Sequence, residues 1–137
     1  MATTTVLSNT VSVVINSVDL SDQVTNATIN QQFDELETTS MGSTSRVFVK
    51  GLESSTITLD FLNSYVASEV YATLQAAYGT SVTCVMKPTT AAVSATNPSF
   101  TASILINNLT PINGGPGDLQ TQSITFTCTS TVAIATS

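Results

Sequence analysis

The feature that most constrains this chain is an alternation of apolar and polar residues that recurs from end to end. It is clearest in the segment TITLDF, where Ile57, Leu59 and Phe61 fall on one side and Thr56, Thr58 and Asp60 on the other. A period of two sends successive side chains to opposite faces of an extended strand, so one face of each strand is buried and the other meets hydroxyl-rich surroundings. The same pattern predicts strands at residues 10–16, 23–33, 46–50, 55–61, 81–87, 99–107 and 121–130. A mainly β protein follows. At 137 residues the chain fits a single domain spanning residues 1–137 and has enough length for a real core.

One segment breaks the alternation. Between residues 63 and 78, Val66, Val70 and Leu74 recur every fourth position, with Ala67, Tyr71 and Tyr78 widening the stripe. That spacing predicts one amphipathic helix over about 63–78, with Val66, Val70 and Leu74 packed on a sheet. Asn63 or Ser64 is the expected N-cap, and Gly79 the residue that ends the helix in a left-handed turn. A helix this short is marginal alone and has to lie on the sheet structure.

The connections carry their own signals. ELETTSMGSTSRVFVKG, at 35–51, is polar at its centre and alternates again from Arg46, which predicts a long β-hairpin loop over about 38–50 with its tip at 40–45. PTTAAVSATNPS, at 88–99, carries no charge, and PINGGPGD, at 111–118, has the glycines and prolines of consecutive tight turns. No linker or internal repeat divides the chain.

Composition excludes several classes of function. Three Lys and Arg stand against nine Asp and Glu, a net charge of −6, so there is no basic patch with which to grip nucleic-acid phosphates. Histidine is absent, which removes the commonest general base and the favoured zinc ligand, so no enzyme, no catalytic residue and no cofactor is expected. Nor does any run of apolar residues reach membrane-spanning length, and no membrane insertion is expected. MATTTVLSNT lacks the basic start and apolar core of a signal peptide, which points to assembly in a cytoplasm.

The remaining motifs have ordinary readings. Cys84 and Cys128 lie 44 positions apart, each in an alternating run with apolar neighbours. They are expected to be buried, reduced thiols, a disulfide being the alternative, and their spacing builds no metal site. The acidic cluster Asp34, Glu35 and Glu37 matches neither a calcium loop nor a catalytic pair, and reads as solvated or channel-facing. Asn26-Ala27-Thr28 and Asn108-Leu109-Thr110 fit the glycosylation pattern, but in a chain with 25 Thr they arise by chance. The glycine-rich 113–118 stretch lacks the Lys-Ser/Thr of a phosphate loop.

What remains is assembly. Charged residues make up 9% of the chain, against about 25% in typical soluble proteins, and Ser and Thr number 18 and 25. Such surfaces suit contact with copies of the same chain, and only Arg46, Lys50 and Lys87 are available to guard sheet edges. The hairpin is the expected contact element, through Thr39, Met41, Arg46, Val47, Phe48, Val49 and Lys50. Val47 and Val49 alternate with Arg46, Phe48 and Lys50, so both faces of the excursion carry apolar atoms that a neighbouring subunit would cover. Arg46 and Lys50 are expected to meet Glu35 or Glu37 of the next copy.

The order of elements resembles a known family. ETTSMGSTSRVFVKGLE, TITLDF, SYVASEVYATLQAAYGT, VTCVMKP and FTASILINNLTPINGG leading to LQTQSITFTCTS follow one another as in the tail-tube proteins of long-tailed bacteriophages. The most telling parts are the approach GLESSTITLDF at 51–61 and the turn PINGG at 111–115. The resemblance implies a β-sandwich or barrel-like tail-tube fold with one flanking helix. It also implies rings, usually of six, that stack into a genome conduit in the virion tail. Its partners would be copies of itself, other virion tail proteins and DNA in transient, non-specific passage. The loop over 38–50 would reach a neighbouring subunit or ring, and carboxylates such as Asp34, Glu35 and Glu37 would make the lumen or an interface acidic. Acidic walls repel phosphates, so a duplex slides instead of adhering. Two structural alternatives share these features: a capsid decoration or cement protein, and a head-to-tail connector.

Overall fold

A computed structural model describes residues 10–137. Ten strands and one helix follow in the order β1 (Ser12–Ile15), β2 (Val18–Asp19), β3 (Val24–Asn30), β4 (Phe33–Glu37), β5 (Phe48–Glu53), β6 (Thr56–Leu62), α1 (Val70–Ala76), β7 (Ser81–Lys87), β8 (Ser99–Leu105), β9 (Thr121–Thr127) and β10 (Ala133–Ala135). They form a five-stranded sheet in the order β10-β8-β7-β1-β2, a three-stranded sheet β3-β6-β9, and a two-stranded sheet β4-β5. Every strand pairing is antiparallel, as expected where one face of each sheet is buried and the other is not.

The alternation predicted from sequence appears directly in burial. On β6, Ile57, Leu59 and Phe61 are fully buried; on β9 the buried set is Gln122, Ile124 and Phe126. These side chains share one core with Val13 and Ile15 of β1, Cys84 and Met86 of β7, and Ile104 of β8. The five- and three-stranded sheets therefore pack through their apolar faces. They also join at one corner, where Ile104 and Cys128 form an isolated bridge and the Thr129 amide donates to the Ser103 carbonyl at 2.7 Å.

The helix differs from the expectation. It begins at Val70, not near Asn63, and neither Asn63 nor Ser64 caps it: the N-cap is Glu69, without a side-chain capping bond. Two things stop it from extending backwards. Ser68 sits at a φ of 64°, outside helical space, and the stretch before it is tied elsewhere: the Asn63 amide donates to the Gln120 carbonyl and the Tyr65 hydroxyl to the Pro111 carbonyl. Val70 and Leu74 are buried as predicted, with Thr73 and Ala77 completing the stripe, but Val66 is 64% exposed and Tyr71 and Tyr78 lie outside the core. The predicted exit holds: Gly79, at a φ of 85°, turns the chain and donates its amide to the Ile106 carbonyl.

Cys84 and Cys128 are both free thiols. Cys84 is fully buried, and burial pushes its pKa up to about 12. Cys128 also packs against the core. It stands just past β9, where the chain leaves the three-stranded sheet to bridge to β8, and is only partly buried. The uncharged 88–99 loop is organised by one buried side chain, Asn97. Its amide nitrogen donates to the Ala91 and Ala92 carbonyls at 2.9 and 3.2 Å, and its oxygen accepts from the Thr89 amide at 3.1 Å.

Candidate assembly surfaces

The two-stranded sheet is an extension of the three-stranded one. β3 leads into β4 through only Gln31 and Gln32, and β5 into β6 through only Ser54 and Ser55. Pairing continues across the joint: Asn30 faces Thr56, the Ser54 amide donates to the Gln32 carbonyl at 2.7 Å, and Phe33 faces Glu53. One antiparallel ribbon thus runs from the core out to the Thr38 amide, which donates to the Val47 carbonyl. Register shifts between Val24 and Asn26 and between Phe33 and Glu35 put a kink at each end of its inner part.

The joint is pinned by Glu53. Its carboxylate accepts from the Ser55 hydroxyl at 2.7 Å and from the Val132 amide at 3.0 Å, linking the arm to β6 and to the segment entering β10. The Val132 hydrogen bond, with help from Ser55, holds the Glu53 carboxyl below its ordinary range. Farther out, Gly51 allows the two strands to close up. A Cβ there would stand 3.1 Å from that of Asp34 and 3.3 Å from Leu36 Cγ, tighter than ordinary contacts.

Beyond this joint the arm lies largely open. All five residues of β4 are exposed, and its partner strand is exposed or half-buried throughout. Leu36 stands opposite Val49, with Val47 on the same face; Phe48 and Lys50 stand opposite Glu37 and Glu35 on the other. The Lys50 ammonium lies 4.8 Å from the centroid of the Phe33 ring. Every predicted contact residue therefore lies on this arm: Val47, Phe48, Val49 and Lys50 on or beside β5, Arg46 just before it, Thr39 and Met41 in the tip. The tip is partly ordered by the Thr39 hydroxyl, which donates to Glu37 and accepts from the Val47 amide at 2.8 Å.

Within the chain the charges of the arm stand opposite one another. Arg46 meets Glu37 of its own chain at 3.3 Å, and Lys50 faces its own Glu35 across the ribbon. The hairpin register itself brings these charges together. Asp34, Glu35 and Glu37 all lie on β4 of the arm.

A second exposed apolar surface went unread in the sequence. The rings of Tyr65 and Tyr71 stack at 5.3 Å between centroids, tilted by 55°. The Tyr65 hydroxyl bonds the Pro111 carbonyl and reaches Gln120 Oε1 at 2.8 Å. Next along the chain from those anchors stand Ile112 and Leu119, 77% and 79% exposed. Tyr65, Val66 and Tyr71, at the start of the helix, are exposed as well.

The outer face of the three-stranded sheet is of a different kind. Its rows are Asn26-Asp60-Ser123, Thr28-Thr58-Thr125 and Asn30-Thr56-Thr127. The Thr58 and Thr125 hydroxyls bond one another at 3.0 Å. The grid holds one carboxylate and no cation. Among the described residues no group of three metal-ligating side chains converges, and no helix is long and apolar enough to cross a membrane. No protein-family model matches the chain, and no curated protein matches it.

Proposed function

We propose that this chain is a structural subunit that closes into homomeric rings, and that the rings stack into a tube serving as the genome conduit of a virion tail. The observation that carries this reading is the arm. A two-stranded ribbon with apolar side chains on both faces and free backbone groups along both edges is not a stable surface for a monomer in water. A neighbouring subunit would cover Leu36, Val47, Phe48 and Val49 and pair the open edges. The element order that resembles phage tail-tube proteins supports the same role, with other tail proteins as end partners. In such a ring, the hydroxyl face of β3-β6-β9 suits the channel wall. Nine short polar side chains with Asp60 as the lone charge give passing DNA nothing cationic to hold. The five-stranded sheet, which carries Lys87, suits that position less.

Electron microscopy of the purified protein in negative stain tests the proposal. Rings stacked into tubes of constant diameter are expected. Single particles at every concentration would overturn it, and binding to capsid lattice positions without ring formation would assign the decoration role instead.

A further inference from the structure

The 111–118 turn holds the one asparagine of this chain that a glycine follows, Asn113 before Gly114. A side chain on the following residue crowds the approach of its backbone nitrogen to the asparagine Cγ, and glycine has none. Asn97, by contrast, precedes Pro98, whose nitrogen has no proton to give up. The surroundings leave the reacting groups accessible. Residues 111–120 are exposed throughout and belong to no strand or helix. The Gly114 amide donates to no acceptor among the described residues, so no hydrogen bond has to break before its nitrogen attacks. Even a Cβ on Gly114 would meet nothing nearer than 3.5 Å, so the joint between the two residues is not packed in. One restraint opposes the reaction: Asn113 Nδ2 donates to the Thr121 carbonyl at 2.9 Å. It is a single exposed hydrogen bond, and such loop contacts open and close far faster than a covalent step of this kind. We infer that Asn113 is a site of spontaneous deamidation, at which the side-chain amide is exchanged for a carboxylate through a ring closed on the Gly114 nitrogen.

The Gly114 nitrogen gives up its proton and bonds to the Asn113 Cγ; the Cγ–Nδ2 bond breaks, and the departing group takes up a proton and leaves as ammonia. Nucleophile and electrophile sit on adjacent residues, so the attack is intramolecular. Water then adds to one of the two carbonyls of the five-membered imide. Opening on one side gives aspartate; opening on the other gives isoaspartate, whose main chain runs through the former side chain and is one carbon longer. One water is consumed, one ammonia is released, and nothing is oxidised or reduced. Either product carries a carboxylate that is ionised at neutral pH. The Thr121 carbonyl then loses its donor and faces a negative group instead. That bond ties the middle of the turn to the first residue of β9, while the flanks are held separately: Pro111 by the Asn63 and Tyr65 side chains, and Gln120 by the Asn63 amide. Conversion therefore loosens residues 112–119 between standing anchors and adds one negative charge to a chain whose net charge is −6. None of this depends on the assembly reading above.

The test incubates the folded, full-length protein at 37 °C at pH 7 and at pH 9, then maps it by peptic digestion and mass spectrometry, with isoaspartate read by enzymatic methylation of its free carboxyl. Asn113 is expected to convert to a mixture of aspartate and isoaspartate, several-fold faster at pH 9, because the attacking nitrogen must lose its proton. Conversion at Asn113 no faster than at Asn16 or Asn63, each of which precedes a serine, overturns the inference. So does an Asn113 that stays intact in the folded protein while the urea-unfolded chain converts, since the Thr121 bond would then lock the side chain. Asn113→Asp reads the consequence for the turn. Limited chymotrypsin digestion is expected to cut this variant after the exposed Leu119 several-fold faster than wild type, with cleavage after Met41 in the arm tip as the unchanged reference. Equal cleavage after Leu119 in the two proteins overturns the loosening of the turn.

Discussion

Replacing Leu74 by Ala tests whether the short helix is held by one side chain. Seven residues are too few to be helical on their own, so α1 stands only because Val70, Thr73, Leu74 and Ala77 are buried against the sheets. Leu74 is 1% exposed, and truncation to Ala deletes three carbon groups from a site that water does not reach. At about 0.8 kcal/mol per buried carbon the transfer loss is roughly 2.4 kcal/mol. Incomplete collapse around the hole raises the total to about 3 to 4 kcal/mol. For a domain of this size that lowers the melting temperature by about 10 °C. Val66→Ala, eight positions earlier on the stripe predicted from sequence, removes a side chain that is 64% exposed and is expected to change stability by no more than about 0.5 kcal/mol. Urea unfolding followed by circular dichroism, at one and the same protein concentration, measures both. Equal losses from the two substitutions, or a loss under about 1 kcal/mol at Leu74, would refute the helix register and the anchoring role together.

Other expectations follow from single residues. Because hydrogen bonds hold the Glu53 carboxyl below its ordinary value of 4.5, its contribution to stability is full above that pH and is lost as pH falls through the lowered value. Glu53→Gln should therefore be less stable than wild type at neutral pH, and the gap should close in acid; a gap unchanged from pH 7 to 3 would rule out the carboxylate as the joint's pin. Alkylation in denaturant without reductant should label two thiols, while the folded protein at pH 8 should protect Cys84, whose thiol is buried and resists ionisation; a mass showing no label would mean a disulfide. Asn97→Ala removes the side-chain hydrogen bonds to the Thr89 amide and to the Ala91 and Ala92 carbonyls and should destabilise by about 1 to 3 kcal/mol in the same urea assay. Deleting residues 40–45 should leave a folded monomer by circular dichroism and no tubes by microscopy. Tubes of normal length would show that the tip is dispensable.

The strands were legible where alternation was long and the bounds were clear. Residues 81–87 match β7 end to end, and Ile57, Leu59 and Phe61 are buried as read. β2 and β10, at two and three residues, are too short to show a period. The helix start was overread because the competing bonds from residues 63–65 go to Pro111 and Gln120, which no local pattern reveals. The arm was legible as a polar tip between apolar flanks. Its continuity with β3 and β6 was not, since Gln31-Gln32 and Ser54-Ser55 look like loops until the two strands are laid side by side. Least readable was the exposure of Tyr65, Tyr71, Ile112 and Leu119: Tyr71 falls on the predicted helical stripe, and Ile112 and Leu119 lie in irregular segments without periodicity.

Because the arm and the core sheet share the same two strands, the arm is also a mechanical element. Tension applied at its tip runs along β3 and β6 into the body of the protein. β6 is held along its other side by β9, with seven facing residue pairs from Thr56-Thr127 to Leu62-Thr121. A pull along the strand axis loads those pairs in shear, all at once, whereas a pull across the sheet would unzip them one by one. An arm attached through a flexible loop would stretch under load and leave the core untouched. Here an axial force is resisted by the ladder between β6 and β9.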